Sequence, residues 1–160
     1  MQHPEPSFDN TYMQDHAALL LRCYRHWTRR DLIDTALSPA EAARALYLAP
    51  FVLLSHDTHA DPRFNYANQT AQGLFELPWT EIVGMPSRYS ADPLARDARE
   101  QLLARVAAAG YIDDYSGVRI AHSGKRFLVH HATVWNLFDE HGLSFGQAAC
   151  FSEWTPIRTE

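Results

Sequence analysis

The stretch from Tyr111 to Trp154 constrains this chain most. It reads as three long strands, Asp113–Ala121, Lys125–Phe138 and Leu143–Phe151, joined by turns too short for anything but antiparallel pairing. Ser123-Gly124 closes the first hairpin, and a turn containing Gly142 closes the second. In front of them Asp92-Pro93 opens a helix that ends at Gly110, a residue suited to a left-handed C-terminal cap. Leu94, Ala98, Leu102 and Val106 form its apolar stripe, while Arg96, Arg99, Glu100 and Arg105 face outward. Two shorter strands, Phe51–Leu54 and Phe64–Tyr66, lie upstream on either side of a polar turn. A helix feeding an antiparallel meander predicts an α+β domain.

Register decides which side chains share a face, because a slip of one residue exchanges the two faces. If Ser123-Gly124 is a two-residue loop, Ile120 opposes Phe127, Val118 opposes Val129 and Ile112 opposes Trp135. One face then carries Ile112, Val118, Ile120, Phe127, Val129, Trp135 and Leu137; the other carries Arg119, Arg126, His130 and Asn136. A three-residue loop at Glu140-His141-Gly142 sets Phe145 against Leu137 and Gln147 against Trp135. The apolar face would then hold a polar cluster of Asp114, Ser116, His131, Thr133 and Gln147. Buried polar groups without partners cost about 1–3 kcal/mol each, so the cluster satisfies itself, holds water or binds a ligand.

The N-terminal part is helical. Thr11 and Gln14 have capping-box spacing, and Tyr12, His16, Leu19, Leu20, Cys23 and Trp27 recur at helical intervals through Arg30. That stripe must be covered, by its own domain or by a second copy, and a homodimer through this helix is expected. Ser38-Pro39-Ala40-Glu41 is a second capping box, whose helix stops before Pro50. Asn68 caps a short helix to Phe75, and Pro78 opens one more turn ending at Gly84. Residues 1–37 read as a helical extension and 38–160 as the domain.

A net charge of −5 argues against a nucleic-acid surface, which would need a basic patch. Cys23 and Cys150 lack metal-site or redox spacing and fit two free thiols in a reducing compartment. Ala17–Leu21 is too short to cross a bilayer, and no signal-peptide pattern precedes it, so a cytoplasmic, membrane-free protein is expected.

Several motifs occur in order: Ser55-His56-Asp57, Phe64-Asn65-Tyr66-Ala67-Asn68, Pro86-Ser87-Arg88, Ser90-Ala91, the run Gly110 to Arg119, Trp135-Asn136-Leu137 and Gly146-Gln147-Ala148. In these the chain resembles the MEKHLA domain family, which is related to PAS domains, from Ala40 to Trp154. The resemblance implies a PAS-like five-stranded antiparallel sheet with helices over one face, plus N-terminal helices like those of bacterial members. It also implies a sensory module binding a small molecule between sheet and helices and signalling through protein contacts.

The expected ligand set is Tyr66, Asn68, Arg88, Asp114, Ser116, His131, Thr133, Trp135 and Gln147. Arg88 would clamp a carboxylate or phosphate, or else pair with Asp113 or Asp114. No cofactor is identified. The cysteine motif of photoactive flavin domains is absent, Gln147 matches their glutamine only by position, and Asp92–Ala109 has no histidine for haem. His56 to Asp61 carries metal-type ligands at loop-like spacing, which a polar turn explains, and no metal site is expected. The competing classes are a small cavity enzyme with His131 and Asp114 as general base, for which no catalytic motif is found, and a ligand-free interaction module.

Overall fold

The computed structural model describes residues 4–91 and 96–158. Six strands form one sheet: β1 (Val52–His56), β2 (Phe64–Ala67), β3 (Tyr111–Ile120), β4 (Arg126–Phe138), β5 (Ser144–Phe151) and β6 (Glu153–Ile157). Their order is β2-β1-β5-β4-β3 with every pairing antiparallel, and β6 pairs β4. β6 extends the line of β5 along the same neighbour, since Thr133 opposes Cys150 and His130 opposes Glu153. The expected five-stranded sheet is thus present, with its last strand broken at Ser152.

The expected registers are not. The first hairpin has a three-residue loop, with Ala121 N–H donating to the Lys125 carbonyl at 2.8 Å and Gly124 left-handed at φ +93°. Ile120 therefore opposes Arg126 and Arg119 opposes Phe127, one residue from the two-residue-loop reading. Two irregularities then interrupt the β3–β4 ladder, one where His131 takes φ +51° and one between Ile112 and Tyr115. At His131 the extra residue reverses the parity of β4. Phe127 and Val129 share a face with Ala132 and Val134, whereas Trp135 and Leu137 point to the other side. In the second hairpin the three-residue loop forms as expected, but Gly146 at φ +118° slips the ladder, so Trp135 opposes Ala148 and Leu137 opposes Gly146. A Cβ at Gly146 would run into the His56 carbonyl oxygen, so this close approach of β1 requires glycine.

Both faces of β4 can be apolar because both are covered. On one lies α1 (Gln14–Thr28), with α2 (Pro39–Tyr47) beside it. Ala17, Leu20, Cys23 and Tyr24 are buried there, and the Tyr24 ring meets Trp135 edge-on at 5.0 Å. Trp27 Nε1–H donates to the Asn136 carbonyl at 3.0 Å and Arg22 to the Phe138 carbonyl at 2.6 Å, fixing the C-terminal half of α1 to β4. The stripe that suggested a homodimer is thus covered by the chain's own sheet, and the boundary at 37/38 divides elements that share one core.

On the opposite face lie α3 (Gln69–Phe75) and α5 (described from Arg96 to Ala109), and α4 (Trp79–Ile82) sits against β2. Leu102 and Val106 of α5 pack on Ile112 and Val134 as expected, but Ala98 is exposed. The expected start at Asp92-Pro93, with Leu94, lies outside the described residues. Gly110 caps α5 with N–H to the Val106 carbonyl at 2.8 Å, and the Trp27 ring occupies the space a Cβ there would need.

The Ser38 capping box forms as read, with Ser38 N–H to Glu41 at 2.9 Å and Glu41 N–H to Ser38 at 3.2 Å. The one expected at Thr11 does not. Thr11, Tyr12 and Met13 are all left-handed, and the Asn10 carboxamide holds the turn by accepting from Ser7 N–H at 3.0 Å and Met13 N–H at 3.2 Å. No described helix is long and apolar enough to cross a membrane.

Candidate functional site

The parity change of β4 leaves small side chains under α5. A cavity of about 70 Å³ opens there, floored by Leu54, Val129, Ala132, Val134 and Ala149 and roofed by Phe75, Leu102 and Leu103. Polar side chains also line it, among them Ser55, His56, Ser87 and Ser90 as well as Gln147 and Arg119. Gln147 stands in the row of Asn136 and His56, and Arg119 in the row of Phe127.

Gln147 ends a chain of amides. Asn136 donates to the Val106 carbonyl at 2.9 Å, and its Oδ1 accepts from Gln147 Nε2 at 3.0 Å. The same Nε2 reaches the Leu103 carbonyl at 3.3 Å. Two carbonyl acceptors thus fix the nitrogen end of Gln147 and leave Oε1 buried without a donor among the described residues. An orphaned acceptor costs about 1–3 kcal/mol, a sum that a ligand or water with an O–H or N–H would recover. The Arg119 guanidinium lies 5.5 Å from the centre of the Tyr115 ring, with no ion pair to any acid among the described residues.

Outside Gln147 a wider open cleft of about 630 Å³ is lined by His26, Trp27, Asp57 and His59 among others. Burial pushes the Asp57 carboxyl up, but hydrogen bonds from the Arg63 and His59 amides and the His59 ring outweigh it and hold the group below its ordinary range. Among the described residues no three metal-type side chains gather into a binding group.

Of the nine expected site residues, Gln147 lines the cavity. Trp135, Thr133 and Tyr66 belong to the opposite face. Trp135 is fully buried against Tyr24, Tyr66 stacks on His16 at 5.4 Å, and Thr133 pairs with Cys150, whose thiol burial pushes up to about 12. Tyr66 Oη and Trp135 Nε1 have no hydrogen-bond partner among the described residues, and burial raises the Tyr66 phenol well above its ordinary range.

Asn68 is structural: Oδ1 accepts from Ala71 N–H at 3.0 Å and Leu53 N–H at 3.1 Å, while Nδ2 donates to the Leu46 and Phe51 carbonyls. Arg88 pairs with Asp61 at 3.1 Å, not with Asp113 or Asp114, and covers the Tyr89 ring. Asp114 and Ser116 are exposed, with Arg105 lying 3.9 Å from Asp114. His131 is exposed at its bulge, and no hydrogen bond or ion pair joins it to Asp114, so the general-base pair is not assembled. The residues missed are Arg119, Tyr115, Ser87, Ser90, Leu102 and Leu103. The first two were hidden by the assumed loop length. Gly124, read as the third loop residue of a bulged hairpin, would have put Arg119 opposite Phe127.

A β2-β1-β5-β4-β3 antiparallel sheet with helices and a cavity on one face defines a PAS fold. Solved structures agree. The PAS domain of a protein from Colwellia psychrerythraea superposes with a TM-score of 0.59 at 13% identity, over 72% of this chain and 92% of that one. A PAS domain in complex with ethanol, from a LuxR-family transcriptional regulator of Burkholderia thailandensis, does so with a TM-score of 0.53 at 19% identity, over 74% and 96%. An RNA-binding light-oxygen-voltage receptor gives 0.59 at 21%, over 75% of this chain but only 33% of the receptor. At these identities the likeness establishes the fold alone. The profile of the MEKHLA domain matches residues 14–156, and the chain belongs to that family. Comparison with curated proteins returned no match.

Proposed function

We propose that this domain is a sensory module in which a small molecule, held between the sheet and α5, alters how α1 rests on the opposite face and so changes protein contacts. One observation carries the reading. Asn136 touches both layers, its backbone carbonyl accepting from Trp27 of α1 and its side chain joining Gln147 at the cavity to the Val106 carbonyl of α5. A ligand that gives Gln147 a donor rearranges the amide chain, and the displacement reaches α1 through a single residue of β4. The residues proposed to meet ligand are Gln147 and Arg119, in place of the wider set read from sequence.

The module is proposed to bind rather than to turn over its ligand, and to work in the cytoplasm. A homodimer stays within the proposal only through the outer side of α1, where Leu19 is partly exposed, because the inner stripe is occupied. Thermal-shift screening of small metabolites, followed by amide hydrogen exchange, tests the scheme. The expected result is a stabilising compound that changes exchange in residues 14–28 as well as in 96–109. A ligand that protects α5 and leaves α1 untouched removes the signalling step. Native mass at micromolar concentration tests the dimer, and a monomer removes that part.

A further inference from the structure

The segment ahead of α1 is folded against its own residue types. Ser7 is extended, as an N-cap is, and Asp9 places an acid in the first turn, a local arrangement that starts a helix. The turn nevertheless leaves helical geometry at Asn10. Thr11, Tyr12 and Met13 follow at φ +51°, +54° and +54° before α1 begins at Gln14. Left-handed backbone disfavours every residue with a Cβ, a β-branched one such as Thr11 most, and no glycine relieves this run. A helix from Phe8 to Thr28 is thus interrupted only over residues 10–13.

Tertiary contacts hold the interruption in place. Asn10 Oδ1 accepts from the Ser7 and Met13 amides, and its Nδ2 donates to the Glu5 carbonyl at 2.8 Å. Pro6 is buried, and the Tyr12 ring lies 6.3 Å from that of Tyr47 in α2. Tyr47 is buried and donates its O–H to the Glu5 carboxylate at 2.7 Å. Burial raises this phenol well above its ordinary range, so it keeps the proton it donates. The same oxygen accepts from Gln72 of α3 at 2.9 Å. The hook is therefore tied to α2 and, through one phenol, to α3, whose Phe75 roofs the cavity. As hooked, Phe8 is 85% exposed; in a continuous helix it would stand one turn from Tyr12 on the same stripe.

We infer that residues 4–13 are a conformational latch with two settings. One is the hook, held by Asn10 and by the Tyr47–Glu5 bond. In the other, residues 10–13 turn right-handed and α1 runs unbroken from Phe8 to Thr28. Local backbone preference favours the released setting and tertiary contact the hook, which is the balance a two-state element requires. Release lengthens α1 by about 9 Å and bares Tyr47 on α2. Withdrawing Glu5 from Tyr47, or moving α3 and with it Gln72, tips the balance. The latch lies outside the cavity and stands or falls without a ligand there.

The test uses the full chain and backbone NMR, reading the Cα shifts of residues 10–13. Asn10→Ala removes the amide that holds the turn, and Tyr47→Phe removes the donor to Glu5. Each is expected to move the shifts of residues 11–13 to helical values while those of β4 and β5 stay in place. Adding Thr11→Gly relieves the left-handed backbone and weakens a helix. It is expected to swing the balance back about tenfold and restore the wild-type shifts. Shifts that stay left-handed in both single variants show a fixed turn and overturn the latch. Random-coil shifts show fraying without a second setting and overturn it too, as does a Thr11→Gly that restores nothing. If Tyr47→Phe disturbs the β4 and β5 shifts, Asn10→Ala, a partly exposed position, decides alone. None of these outcomes bears on whether the cavity holds a ligand, so the sensory reading is tested separately.

Discussion

The two faces of this sheet are built to different standards. Under α1 the packing is dense and aromatic. Trp135, Tyr66, Leu20, Leu53 and Leu137 are all but inaccessible, and α1 is tied to the end of β4 through Trp27 and Arg22. Under α5 the floor is Ala132, Val134 and Ala149, the roof is Leu102 and Leu103, and a cavity lies between them. The strand that serves both is the same. What separates them is one extra residue at His131, which sends large side chains to one face and small ones to the other. The dense face supplies stability, and the looser face has room to respond. A protein that needs both gains from keeping them on opposite sides of one strand, because tight packing transmits a displacement while an unfilled site can accept a ligand.

Removing α1 would break the comparison most severely. A chain lacking residues 1–30 leaves the Trp135 and Leu53 side of the sheet bare, and each large apolar side chain on it loses about 1.5–3 kcal/mol of burial. The shortened chain is expected to lose its fold or aggregate, as seen by circular dichroism and size-exclusion chromatography. A soluble, folded product would show that α1 is an accessory. Next, Trp135→Ala should cost about 3–5 kcal/mol in urea denaturation, as expected for a filled core. A loss below about 1 kcal/mol would mean the dense face is not dense.

Matched enlargements sharpen the contrast. Ala17→Val, against the packed face, should cost about 1–3 kcal/mol, whereas Ala132→Val should cost less than about 1 kcal/mol because the cavity accepts the added methyls. Equal costs would erase the distinction between the faces. Ser38→Ala, which opens the α2 capping box at the surface, should cost about 1 kcal/mol whichever face matters more.

The smallest effect is acid sensitivity. Hydrogen bonds from the Leu143 and His141 amides lower the Asp139 carboxyl, and those from Arg63 and His59 lower Asp57 against the upward push of burial. A carboxyl depressed in the folded state contributes stability above its unfolded pKa, about 4, and loses it as pH falls through the folded value. Asp139→Asn and Asp57→Asn should therefore flatten the fall of melting temperature below about pH 4. An unchanged slope would remove these turns from the acid response.

The site was much less legible in sequence than the fold. Six of the nine expected ligand residues, Asp114, Ser116, His131, Thr133, Trp135 and Gln147, rest on an unbroken alternation through β4 and its neighbours, while Tyr66, Asn68 and Arg88 do not. Only Gln147 reached the cavity, although the reason for placing it there, a pairing with Trp135, was off by one. In an unbroken strand His131 is a central polar residue; it is instead the bulge itself, so everything beyond it in β4 changes face. A two-residue loop sends Arg119 to solvent; the loop is one residue longer, which sets Arg119 opposite Phe127.

The sequence by itself determined the elements and their order. Short turns at Gly124 and Gly142, the Ser38 box, the Asn68 cap and the stop at Gly110 act within a few residues, so local chemistry is enough to specify them. Only the tertiary structure decided the faces. A bulge is an agreement between two strands, set where Gly146 meets the His56 carbonyl and where His131 turns left-handed beside β3. The stripe of α1 shows the same division. Helical spacing required that Leu20, Cys23 and Trp27 be covered, but a second copy and the chain's own sheet satisfy that requirement equally well in sequence. Among the described residues it is the packing of Tyr24 on Trp135 and the bond from Trp27 to Asn136 that selects the sheet.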